Sequence, residues 1–286
     1  MEVKQNPFSL YDFLGYFVPG AIFIYLALIG HSNHYSNLEE LQKFQKLENI
    51  LPFTLLVYLL GHIINYLSAL TIEKHAIQMY GHPSKTIIKE TEPERTTSKH
   101  DTFYTMLTRI IIAPVAMIDL TIGRFLKIDR FIKRSEDKTI RTIIKFKIYE
   151  LLKEKGSGTF DNFAPPHLTN FFILAYHYCV EKCPNHLPKM QNYVALYGFL
   201  RANCFALICA TWMTMFNLDL EYLCNPRNIY IVIHATILSA IAFILYLGFL
   251  KFYRRFCLEV LLAFCVTYEP RNSNSNSNSN SNSNSK

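Results

Sequence analysis

Residues 229–251 read IYIVIHATILSAIAFILYLGFLK. An uncharged apolar run of about 20 residues, at 1.5 Å per residue, matches a hydrocarbon core about 30 Å thick. Backbone polar groups in lipid must be satisfied within their own segment, so such a run predicts a membrane-spanning helix. Its end carries Lys251, followed by Arg254 and Arg255. Cations cluster on the cytoplasmic side of spans, so this end is expected inside.

Three more runs of this kind occur. Residues 10–30 (LYDFLGYFVPGAIFIYLALIG) predict a first span, with Pro19-Gly20 as a kink or local break. Only Lys4 precedes it and no small-residue cleavage site follows, so it reads as retained. Residues 51–72 predict the second span and residues 193–216 the third. The second exits into Lys74, Lys85 and Lys89, whereas the loops after the first and third carry Glu39, Glu40, Glu48, Asp219 and Glu221. The expectation is an all-α membrane protein with four transmembrane helices, both termini cytoplasmic, in a bacterial inner (plasma) membrane. A helical cytoplasmic domain lies between the second and third spans. The divisions are 1–72 (two spans), 73–192 (basic domain), 193–252 (two spans), 253–270 (a cytoplasmic or interfacial helix) and 271–286 (a disordered Asn-Ser tail).

Residues 104–127 contain IIIAPVAMI, but Arg109, Pro114, Asp119 and Arg124 weigh against a fifth span. One mid-bilayer charge costs about 2.5–3.5 kcal/mol on insertion scales. The segment reads as an interfacial or re-entrant helix.

The whole chain is half hydrophobic and carries a net charge of +7. The seven cysteines form no evident disulfide framework; most lie in apolar runs, and Cys179 and Cys183 lack a second pair at zinc spacing. No nucleotide-loop, nucleophile-elbow or zincin motif occurs and no carboxylate pair is set for acid–base work. The sequence offers no case for an enzyme, a bound metal or a cofactor. The tail after Pro270, RNSNSNSNSNSNSNSK, has nothing to bury and reads as a disordered tether.

The basic domain holds a row of cations. Arg124, Lys127, Arg130, Arg134, Lys138, Arg141 and Lys145 follow at spacings of three or four, with a possible break at Ser135. On one helix they would build a continuous positive face. That face suits anionic headgroups, at about 1 kcal/mol per cation, or a soluble polyanion such as a nucleotide or oligonucleotide. Helix breaks are expected at residues 155–158, with a helix at 168–181. Another begins near Leu187 and runs without interruption into the third span.

Polar groups inside the spans need a reason. Tyr58, His62, Asn65 and Ser68 share one side of the second span and would either bond neighbouring helices or line a pore built from several subunits. Arg201, in the third span, is placed to reach Asp12 or Glu73 and lock the first three spans together.

YDFLGYFVPGAIF, LLGHIINYLSALTIEK with YGHPSK, and YVALYGFLRANCFAL resemble motifs of bacterial multi-pass proteins encoded among anti-phage defence genes, the Hailong-type systems. The resemblance covers the spans and their flanks. It implies an oligomeric, channel-like effector that depolarises the membrane on binding a nucleotide product of a partner nucleotidyltransferase. It carries no individual site residue.

Overall fold

The computed structural model describes residues 12–31, 47–89, 99–123, 125–132, 136–155, 171–217 and 226–269. Among these there are eleven α-helices, three π-helical turns and no strand. A π turn Phe13–Phe17 leads into α1 (Val18–His31). Helix α2 (Leu47–Ser68) continues through a π turn, Ala69–Glu73, into α3 (Lys74–Tyr80). Gly81 ends α3 at φ 78°, in the region that favours glycine. Short α4 (Pro83–Ile88) follows. Next come α5 (Lys99–Ile111) and α6 (Ala113–Ile118), which runs into a π turn, Asp119–Gly123. The remaining helices are α7 (Ile128–Ile132), α8 (Lys138–Lys155), α9 (Phe171–Lys182), α10 (Leu187–Phe216) and α11 (Pro226–Thr267).

Among the described residues three helices are long and apolar enough to cross a membrane: Ile50–Ile88, Leu187–Phe216 and Asn228–Thr267. The bent pair Phe103–Ile111 and Ala113–Gly123 would make a fourth if taken as one broken span. Phe13–Leu28 is apolar but shorter. Helix α10 is central, packed by α1, α2 and α11. Its small residues Ala202, Cys204, Ala206 and Ala210 are buried, which lets neighbouring helices approach closely. Helices α2 and α11 instead expose apolar stripes, Leu51, Leu55, Leu59 and Ile63 on one and Ile229, Ile233, Ile237 and Ile241 on the other. Spacing by four keeps each stripe on one face, as a lipid-facing helix requires.

Two hydrophobic cores lie along α11. The first joins α2, α3, α6, α7, α10 and residues Leu238 to Leu250. The second joins α4, α8, α9 and residues Phe256 to Tyr268.

Several expectations change. Pro19-Gly20 does not break the first helix. Pro19 lacks the N–H that would close the preceding turn, and the chain widens into the π turn, where Val18 N–H bonds Phe13 C=O. Gly20 and Gly61 give this helix its seat: a Cβ on Gly20 would strike the Val57 carbonyl, and one on Gly61 the Tyr16 carbonyl. The fourth span and the helix expected after it at 253–270 are one helix, because nothing between Phe249 and Thr267 is a glycine or proline. The segment 104–127 is not one helix; it bends by 84° at Ile112, just before Pro114. Nor do the cations lie on one continuous helix. Lys127 has φ 52° and stops the chain before α7, and Asp137 starts α8 afresh by accepting Lys138 N–H at 2.7 Å. The tail 271–286 lies outside the described residues.

Candidate functional site

The second span carries its polar residues into two different environments. Arg201 of α10 is buried against α2. Its guanidinium ion-pairs with Glu73, donates through Nη2 to Asn65 Oδ1 at 2.9 Å, and through Nε to Ser68 Oγ at 3.2 Å. The Ser68 hydroxyl donates onward to the Asn65 carbonyl at 2.7 Å. The π turn explains how two α2 residues and Glu73, at the end of that turn, meet one arginine. On an α-helix Glu73 would sit about 140° around from Ser68, at 100° per residue. The wider π turn, closing i to i+5, returns it near the same face. All three guanidinium nitrogens are therefore satisfied inside one chain, with Glu73 supplying the counter-charge.

Tyr58 and His62 point elsewhere. The His62 ring is exposed and stacks on Tyr16 at 3.8 Å between centroids, with Tyr58 edge-on at 4.6 Å. The four pore-lining candidates thus divide. Asn65 and Ser68 bond Arg201 of a neighbouring helix, the first of the two alternatives for this face, while Tyr58 and His62 lie along the seam of α1 and α2. Asp12 is half-buried at the start of the π turn below α1.

Among the cations, Arg124 and Arg134 lie outside the described residues. Lys127, Arg130, Lys138 and Lys145 are exposed, and Arg141 is half-buried. Helix α8 turns Ile144, Ile148 and Leu151 into the second core and leaves Lys138, Lys145, Ile143, Phe146 and Tyr149 exposed. Its outer face is therefore mixed, cationic and apolar.

Four features had no sequence signal, because their partners are remote in the chain. Lys147 Nζ donates to the carbonyls of Cys265 at 2.5 Å and Tyr268 at 2.6 Å, capping the C-terminal end of α11. Arg254 of α11 pairs with Glu136 at 2.8 Å, and Glu259 pairs with Lys189 at 2.7 Å. The Tyr268 hydroxyl donates to Glu154 at 3.0 Å. These contacts fasten α8 and the start of α10 to the far half of α11.

Cys179 and Cys183 are buried, with Sγ atoms 3.5 and 3.9 Å from the carbonyls of Val260 and Ala263. Burial, reinforced by Cys183, pushes the Cys179 thiol well above the ordinary thiol range. Among the described residues no group of three His, Cys, Asp or Glu side chains is placed to hold a metal ion. No protein-family model, no curated protein and no solved structure matches this chain.

Proposed function

We propose that the chain is an oligomeric membrane effector, a ligand-regulated ion channel of a bacterial anti-phage defence system. In this reading α1, α2, α10 and α11 are the four spans, and the bent pair α5–α6 is re-entrant. The termini and α8 are cytoplasmic, where an anionic nucleotide or oligonucleotide made by a partner nucleotidyltransferase acts. The observation that carries the reading is mechanical. Cations on α8 sit on the helix whose Lys147 caps α11, and α11 runs unbroken from that layer into the apolar region. A ligand drawn to Lys138, Arg141 and Lys145 would pull on a spanning helix directly. The resemblance to Hailong-type effectors supports the same reading. His62, exposed on α2, and the half-buried Tyr58 edge-on to it are the groups that neighbouring subunits would turn toward a pore.

Planar-bilayer recording of the purified protein with and without oligonucleotides tests this. The expected result is ligand-dependent current, with unitary conductance altered by His62→Leu. A second reading is a non-conducting scaffold or sensor whose basic layer holds anionic lipid or a protein partner. The apolar residues Ile143, Phe146 and Tyr149 beside Lys145 favour it, since such a mixed face suits a headgroup–acyl boundary. A bilayer silent under every condition would select the scaffold.

A further inference from the structure

A second buried polar cluster lies in the first core, apart from Arg201. His75 of α3, Asp119 at the start of its π turn, Tyr80 of α3 and Tyr246 of α11 are each at most 4% exposed. The Tyr80 hydroxyl donates to Asp119 Oδ1 at 2.7 Å. His75 Nε2 stands 4.0 Å from Asp119 Oδ2, an electrostatic approach too long for a hydrogen bond. Both His75 ring nitrogens and the Tyr246 hydroxyl are buried without a hydrogen-bond partner among the described residues. The His75 and Tyr246 rings are 6.2 Å apart between centroids.

An unmet buried polar atom costs about 1–3 kcal/mol, so a cluster of them points to something that binds there. One carboxylate, one imidazole and two phenols make a poor metal site, since hard cations take six or more oxygens and zinc takes four ligands. The ligand this set fits is a proton: imidazole ordinarily titrates between about pH 5 and 8, and burial, with the nearby Arg109 charge, moves His75 below that range. The charged and titratable groups facing the pair are Arg109 from α5, Asp119 from the π turn, Tyr246 from α11 and Tyr80 from α3 itself; Cys204 of α10 faces Tyr246. Gln78, one turn past His75, is exposed and donates to Thr105 at 3.2 Å, so the protein surface is a helical turn away.

We propose that His75, Asp119 and Tyr246 form a buried proton-binding site that sets the position of the bent arm α5–α6. The proton comes from the aqueous phase and forms one N–H bond on the imidazole. The resulting His75 cation closes the 4.0 Å approach to Asp119 into a charge-assisted hydrogen bond. Because Asp119 continues directly from α6, this contraction draws the arm toward α3 and α11.

The chain holds its own reporter. Trp212 is the single tryptophan, and its indole N–H donates to the Ile111 carbonyl at 2.8 Å, beside the 84° bend. Full-length protein in nanodiscs is titrated from about pH 8 to about pH 3, so that a His75 titrating below the ordinary range is covered, while Trp212 emission is followed. A transition with the slope of one proton is expected, lost in His75→Gln and Asp119→Asn and shifted in midpoint in Tyr246→Phe. A flat wild-type trace, or the same transition in His75→Gln, overturns the proposal. Should the first two variants not elute as folded protein, Tyr246→Phe decides, and an unchanged midpoint overturns the site. The readout needs no current, so it stands or fails separately from the channel reading.

Discussion

Arg201 binds three side chains of the second span at once, and its removal leaves them in different difficulty. Arg201→Met strands the Glu73 carboxylate against α10, whereas Asn65 and Ser68 are neutral. Breaking a buried pair by removing one partner costs about 3–5 kcal/mol. The single variant is therefore expected to melt well below wild type in detergent, and Arg201→Met with Glu73→Gln to recover much of the loss. A double variant no more stable than the single one would show that the pair contributes little. The sequence made Arg201 conspicuous, as a charge in an apolar run, and left Glu73 and Asp12 as rival partners. It could not show that Asn65 and Ser68 serve the arginine, because that depends on the π turn between Ser68 and Glu73. At the same scale, Cys179 is buried and its thiol is pushed up, so thiolate is scarce in the folded state. With all other cysteines replaced, maleimide should react with Cys179 only after denaturation; labelling of folded protein at a free-thiol rate would contradict this burial.

Helices here are shaped by a few local choices. Apolar runs announced α2, α10 and α11. The three π turns were not legible, since widening a helix by one residue leaves no mark in composition. Gly61 shows what the crossing of α1 and α2 depends on. Its hydrogen faces the Tyr16 carbonyl, so an added methyl has no flexible neighbour to displace. Overpacking a tight core costs about 1–3 kcal/mol. Gly61→Ala should lower the melting temperature and separate Tyr16 from His62, whose stacking is read as slower exchange or reduced quenching in a Tyr16 probe. Gly198→Ala is the control: nothing lies within 4 Å of a Cβ there, and no loss is expected.

At the scale of the molecule, α11 belongs to both cores, so the basic layer and the apolar region share one rigid element. The cation row was legible as charge but not as shape, because the break at Lys127 and the restart at Asp137 divide it between α7 and α8. What remains continuous is the fastening of α8 to the last turn of α11 through Lys147. Two variants separate attraction from transmission. Reversing Lys138, Arg141 and Lys145 to Glu should abolish capture of anionic ligand or vesicles, with weaker salt dependence for any residue of binding, because fewer counterions are released. Lys147→Met keeps those three cations but leaves the Cys265 and Tyr268 carbonyls uncapped. Ligand binding should then persist while amide exchange at Phe264 to Tyr268 rises and any ligand-induced current falls. If Lys147→Met leaves exchange there unchanged, the layer does not grip α11 through this side chain. If exchange rises but current is retained, the signal reaches the membrane by another contact, with Arg254–Glu136 the next pair to break.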